Sequence, residues 1–348
     1  MTNNFPLFKL PHLAIHEVLN HVGSEVMLLL SLCSKRSKRL LKLCQGPRKE
    51  TRIILNILRN LVEVDYGFSG LTAIGISISI AAVSKLPKNM NLETVNIGSH
   101  VVPVQIEDHD LKTYWIDKKE GLKEIVKHAS DVFSSDLYSI EGCSPSFSPP
   151  DYIRHWLKWI KTRQGKLCRL SMSYKVDDDL LMDVLESDVA TSLDLHTRPS
   201  STFRGPPPRP YSIDYLSHNQ SNWVTLNHLL AMDIKKISLQ NSSLTCQEIN
   251  TFLKKWINGE FSKRIKEFFV AIETEVNDDV LMEGIEVNRR DPSVERAYAS
   301  SRNYVEHING GFDIRRKEDG AMATILAQGM QGRLHVLFWP DYKGNLYH

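Results

Sequence analysis

Along residues 12–44 the apolar side chains recur at helical spacing. Ile15, Val18, Leu19 and Val22 fall at i, i+3, i+4 and i+7, so they make one stripe and predict a helix opened by Pro11 and closed by Gly23-Ser24. Ser24 is placed to cap a second helix with Leu28, Leu29, Leu30 and Leu32, and Ser34 to cap a third that runs through Leu40, Leu41 and Leu43 to Gly46-Pro47. Helices this short are marginal alone, and so apolar a stretch leaves surface for a partner to cover.

The period then changes. Residues 67–84, GFSGLTAIGISISIAAVS, hold no charge and touch the lower length limit of a membrane-spanning helix. The alternation of Ile76, Ile78 and Ile80 with Ser77 and Ser79 has period two, and Ser, Thr and Gly weaken a spanning helix, so the stretch reads as buried structure. Residues 94–97 and 101–106 favour strands, whereas Leu122, Ile125, Val126, Ala129 and Phe133 give residues 121–133 helical spacing. CSPSFSPP at 143–150 is the clearest linker.

Beyond it, strands and helices alternate. A strand at 167–173 is followed by Asp177-Asp178-Asp179, acids at the favourable end of a helix with Leu180, Leu181, Val184 and Leu185. A short strand covers 193–195. The strand KKISL from Lys235 leads to Thr245 and Glu248, a capping box for a helix with Ile249, Phe252, Leu253, Trp256 and Ile257 on one face. Gly259 stops that helix, and EFFVAI starts a strand near Lys266. Leu170, Leu193, Ile237 and Phe268 mark the strands at spacings of 23, 44 and 31, which suggests an irregular leucine-rich-repeat-like α/β layer rather than a regular solenoid. The last forty residues read as strands at 312–314, 322–326 and 333–339, with Glu318-Asp319-Gly320 as a hairpin turn.

Composition narrows the class. The chain has 348 residues, 42% hydrophobic, with 43 Lys and Arg against 41 Asp and Glu and a mean hydropathy of -0.27. It is long enough for two soluble domains, and the near-zero balance argues against a nucleic-acid coat. The balance is not uniform: residues 1–34 carry -1, residues 35–52 carry +7 and residues 53–348 carry -4. Five cysteines without a CxxC pair exclude a disulfide scaffold or a cysteine zinc site, and the N-terminus MTNNFPLFKLPH lacks a secretion signal. A reducing compartment, cytoplasmic or nuclear, is expected, and the NxS triplets at Asn219 and Asn241 are then chance.

Motifs for bond chemistry are weak. His16-Glu17 resembles the start of a zinc-protease HExxH, but the second histidine, His21, is five residues on and turned about 140° away on a helix. Phosphate-loop, dinucleotide and nucleophile-elbow sequences do not occur. The acidic runs 177–179 and 277–279 read as helix caps before cation sites. The basic run 35–52 has no interleaved aromatics for base stacking, so a solvated face is favoured over a nucleic-acid patch. RGPPPRP at 204–210 fits a polyproline ligand for SH3-type grooves, but an extended loop is the favoured reading. Trp156, Trp159, Trp223 and Trp256 are candidate target anchors; for Trp256 the helical spacing makes core packing the default.

Residues 5–42, with Leu10-Pro11, the I-x-x-V-L at 15–19 and the L-x-x-L-S-x-x-S-K-R run from Leu28, resemble an F-box of the nematode type. Residues 221–268, and FDIRRKEDGAMATI at 312–325 with the terminal VLFWP, resemble the type-2 F-box-associated domain of the same proteins. Ser37 stands where many F-boxes outside this group have Trp, and residues 67–84 have no clear counterpart. The resemblance implies an α+β chain: a three-helix F-box at 1–46, a mixed segment at 47–150 and a substrate-recognition domain at 151–348 ending in strands. It implies a non-catalytic subunit of a Skp-cullin-F-box ubiquitin ligase, without metal or cofactor, that binds a Skp-type adaptor and an unidentified protein target. Matching the motif places the adaptor contacts on Leu10, Pro11, Ile15, Val18, Leu19, Leu28, Leu32 and Cys33. The alternative is a nuclear or nucleic-acid-binding module using residues 35–52.

Overall fold

Pro11, Gly23 and Ser34 punctuate the N-terminal stretch into three helices in the computed structural model: α1 (His12–His21), α2 (Ser24–Cys33) and α3 (Lys35–Cys44). The residues it describes are 7–44, 51–68, 71–87, 92–107, 110–143, 149–174, 176–211, 213–299, 305–328 and 332–339. Contacts divide the chain into two units, Met1–Cys143 and Ser144–His348. Ser34 caps α3, its Oγ accepting from the Ser37 amide at 3.0 Å. Ser24 does not cap α2. Gly23 holds that position, while Ser24 begins the helix with its hydroxyl buried against the backbone of Gly75.

The first unit continues with β1 (Thr51–Asn56), β2 (Leu61–Phe68), β3 (Leu71–Ala82), β4 (Glu93–Ile97), β5 (His100–Glu107), β6 (Asp110–Trp115), α4 (Lys118–Phe133) and β7 (Leu137–Cys143). Its strands lie in the order β7-β1-β2-β3-β6-β5-β4, parallel at β7/β1 and β3/β6. The uncharged stretch is therefore largely the strand β3, and among the described residues no helix is long and apolar enough to cross a membrane. Its alternation has a plain cause: Ile76 and Ile78 share a buried face with Val62, Val64, Ile53 and Leu55, while Ser77 and Ser79 alternate with them on the other face. α4 and α2 pack on this sheet, and α4 contributes Leu122, Ile125, Val126 and Ala129 to the core. Burial of Leu122, Ile125 and Val126 stabilises the fold by roughly 1.5–3 kcal/mol each.

The second unit holds α5 (Pro150–Arg163), β8 (Arg169–Tyr174), α6 (Asp178–Ser187), β9 (Ser192–Thr197), β10 (Tyr215–His218), α7 (Leu226–Ala231), β11 (Lys236–Ser242), α8 (Cys246–Ile257) and β12 (Glu267–Ile272). After them come α9 (Asp278–Leu281), β13 (Asn288–Arg289), β14 (Glu295–Ala299), β15 (Val305–Asn309), β16 (Phe312–Arg315), β17 (Met322–Gln328) and β18 (Arg333–Phe338). The strands run β13-β16-β17-β18-β12-β11-β10-β9-β8, and β8 to β12 are all parallel. β14 and β15 form a separate antiparallel pair.

β10 was not expected, and it changes the repeat. Leu170, Leu193, Leu216, Ile237 and Phe268 pair across in one ladder, so the apparent gap of 44 is two intervals of 23 and 21. The architecture is mixed α/β with a parallel run, not a strict segregation of helices from strands. Asp177 and Asn277 cap α6 and α9, and the Thr245–Glu248 capping box opens α8, all through side-chain acceptors for backbone amides. The hairpin between β16 and β17 turns at Gly320, whose φ is +70°. The linker expected at 143–150 has residues 144–148 outside the described set.

Candidate functional site

In α1 to α3 the sequence stripes divide by burial. Ile15, Leu19, Leu28 and Leu32 are buried with Met27 and Leu41, Leu10 is half-buried, and Pro11, Val18 and Cys33 lie at the surface. Val18, one of the expected contacts, is 37% exposed, whereas sequence reasoning missed Leu13 at 84%, Leu43 at 71% and Val26 at 43%. Leu13 sits off the Ile15 stripe, on the side where a polar residue is expected, and that mismatch is the signal that marks it. His21 is exposed beside Glu17, and His16 is half-buried. Among the described residues no group of three or more His, Cys, Asp or Glu is placed to hold a metal.

The basic run is partly committed to the fold. Lys38 and Lys42 both pair with Asp131 of α4, the first at 2.7 Å, and these two ammonium groups hold that carboxyl below its ordinary range despite the opposing effect of burial. The Arg52 guanidinium lies over the Tyr138 ring at 5.0 Å. Lys35, Arg36 and Arg39 are exposed, and residues 45–50 lie outside the described set. Between α2 and α4, His128 is buried with Lys38 Nζ 3.4 Å from its Nδ1; burial first and that charge second push its pKa down to about 4.

In the second unit His218 occupies the ladder formed by Met172, Leu195, Leu239 and Val270. Its Nδ1 accepts from Trp223 Nε1 at 3.1 Å, which leaves the hydrogen on Nε2, 3.1 Å from Thr197 Oγ1. Burial lowers its pKa to about 4. Trp156, Trp223 and Trp256 are buried, so their indoles are packing groups, and Trp159 is half-buried. α8 packs on the same face of the sheet, with Phe252 against Phe268 at 4.9 Å and Trp256 against Phe338 at 5.1 Å. The other face carries Ser171, Asp194, Ser217, Ser238 and Phe269 in register, with Asp194 paired to Arg169 at 2.5 Å and His196 at 3.1 Å. RGPPPRP is a pinned loop: Pro206 O accepts from His228 Nε2, and Arg209 donates to Leu185 O, both at 2.9 Å.

A cavity of about 510 Å³ opens where α8 ends, between the 284–288 segment and β16. Its charged lining is Lys254, Glu286, Arg290, Asp313, Arg315 and Lys317. The run Arg315-Arg316-Lys317 was its sequence signal. Arg316 turns inward, to Asp319 at 2.7 Å and over the Trp256 ring at 5.3 Å, which leaves Arg315 and Lys317 exposed.

Residues 210–270, from the loop before β10 into β12, match the family model described as F-box associated. The Skn-1 dependent zygotic transcript 15 protein of Caenorhabditis elegans is 25% identical over 273 residues, covering 73% of this chain and 75% of that protein. The chain is similar to nematode F-box-associated proteins. An uncharacterized protein of the same nematode is 25% identical to this chain over 136 residues, 36% of the chain and 30% of that protein. No solved structure matches. The signature expected at 221–268 lies inside the matched segment, and F-box-associated proteins are typically non-catalytic adaptors.

Proposed function

We propose that the chain is the substrate-recognition adaptor of a Skp-cullin-F-box ubiquitin ligase. The observation that carries this reading is the F-box-associated match at 210–270, downstream of three N-terminal helices that expose apolar side chains. The Skp-type adaptor docks on those helices. Leu10, Pro11, Val18 and Cys33, with Leu13, are the accessible contacts; Ile15, Leu19, Leu28 and Leu32 act from beneath by fixing how the helices pack. The cullin joins through the adaptor. The second unit, with its leucine-rich-repeat-like parallel ladder, holds a protein target within reach of a conjugating enzyme carried elsewhere on the scaffold. No side chain of this chain breaks or makes a bond, no cofactor is needed, and the work is done in the cytoplasm or nucleus.

The ion pairs of Lys38 and Lys42 with Asp131 support this reading over the nucleic-acid alternative, because they draw two cations of the basic run into the fold. The test is co-purification of the full chain with a Skp-type adaptor. Leu10→Ala with Pro11→Ala, and separately Leu13→Asp, should abolish adaptor capture while the circular dichroism spectrum is kept. Unchanged capture overturns the proposal, as does salt-sensitive nucleic-acid binding lost on neutralising Lys35, Arg36 and Arg39.

A further inference from the structure

The cavity at the end of α8 is walled by groups held from behind. Asn250 Nδ2 donates to the carbonyls of Leu281 and Glu283, at 2.8 and 3.0 Å, and so anchors the segment that leads into 284–288. The Lys317 amide donates to Ile257 O at 2.8 Å, and Asn288 pairs with Asp313 across β13 and β16. The walls are thus backbone-bonded before any ligand arrives, and the volume is that of a small-molecule or side-chain pocket.

The lining carries four basic groups and two acidic ones. Asp313 is spent inside the fold: Arg290 Nε lies 2.5 Å from it, Arg296 Nη1 3.0 Å and Thr324 Oγ1 2.7 Å. Among the described residues neither Lys254 nor Lys317 forms an ion pair. Lys254, Arg315 and Lys317 line the cavity with Glu286 as the other carboxylate of the lining, and the lining's four basic groups against two acidic ones leave a net charge of +2. A single Asp or Glu side chain supplies one negative charge, whereas a phosphate monoester supplies about -1.5 to -2 at neutral pH together with several acceptor oxygens. Ile285 and Met322 add apolar wall for a neighbouring side chain.

We propose that this cavity binds a phosphoryl group carried on the target polypeptide, with Lys254, Arg315 and Lys317 as its cationic contacts. This deepens the proposed function and rests on the reading of the second unit as the target-holding part. Arg315 supplies the planar fork suited to phosphate oxygens, and the two lysines supply point charges on flexible stems.

The test uses the full chain and three degenerate peptide libraries with a fixed central residue: phosphoserine or phosphothreonine, the unmodified Ser or Thr, and Glu. The phosphorylated library should be retained at least about tenfold better than either control, from the worth of charge-assisted hydrogen bonds. Inorganic phosphate should compete with it. Lys254→Glu with Lys317→Glu should abolish the preference, and the milder Lys254→Gln with Lys317→Gln should weaken it with an unchanged melting temperature, which keeps the test valid if charge reversal unfolds the chain. Equal retention of the three libraries, a preference untouched in both variants, or saturable binding of inorganic phosphate without peptide retention each overturn the proposal. Leu10→Ala with Pro11→Ala should leave peptide retention intact. Lost peptide preference with intact adaptor capture defeats the cavity alone, and the reverse pattern defeats the ligase reading alone.

Discussion

His128 Nε2 lies 2.8 Å from Ser31 Oγ, and Ser31 in turn donates to Leu28 O at 2.5 Å. Since the Ser31 hydrogen is used on Leu28, its oxygen accepts from Nε2–H, and Nδ1 is left as the acceptor facing Lys38. A second proton on this ring would meet both burial and a neighbouring ammonium.

The folded pKa of His128 is depressed from its ordinary 6.5 to about 4, so the unfolded chain binds the extra proton more readily. The contribution of His128 to stability is fully present above about pH 6.5 and is lost as pH falls towards about 4, by up to roughly 3 kcal/mol. Denaturant melts across that window should show the slope, and His128→Gln should flatten it. The same slope in the variant would mean that another group titrates.

His218 gives the second unit its own acid sensitivity, with the same sign and window. His218→Gln should remove it, read by Trp223 fluorescence because that indole donates to the imidazole.

Asp313 is buried between Arg290 and the buried Arg296. Asp313→Asn strips the charge from one side and leaves a buried guanidinium uncompensated, with an expected cost of about 3–5 kcal/mol. An unfolding free energy from urea melts lowered by less than a fifth of that would show that water reaches the pair.

Gly75 faces Ser24 at closest approach, where an added Cβ would collide with the hydroxyl and approach Val64 O to 2.8 Å. Gly75→Ala should cost about 1–3 kcal/mol. Ser24→Ala removes a buried hydroxyl that has no hydrogen-bond partner among the described residues and should be neutral or stabilising. The double variant should lose less than the two single effects added, since the hydroxyl clash disappears while the carbonyl contact stays; strict additivity would place the strain elsewhere.

Local chemistry made much of this legible. The three N-terminal helices, the Ile-Ser alternation of β3 and the capping box of α8 were readable because each is decided within a few residues. β10 was not, because its four residues Tyr-Leu-Ser-His look like a loop and the buried position of His218 is satisfied by Thr197 and Trp223, far from any local pattern. β14 and β15 escaped notice because only a few of their side chains, Tyr298 and Ile308 among them, turn inward. Helical periodicity identifies an apolar stripe, of which the core claims Ile15 and Leu19, whereas Val18 stays at the surface and Leu13 is exposed off the stripe. The cavity joins Lys254 to Arg315 and Lys317 across 61 and 63 residues of sequence, a distance that no motif spans.

The ladder through Leu170, Leu193, Leu216, Ile237 and Phe268 keeps its register although the connecting lengths differ, 23, 23, 21 and 31 residues from one rung to the next. Side-chain packing between neighbouring strands fixes the rungs, and the cost of a longer connection grows only slowly with its length. Connectors can therefore lengthen, shorten or change composition at little expense to the sheet, which lets related chains diversify what they present to targets while inheriting one interior.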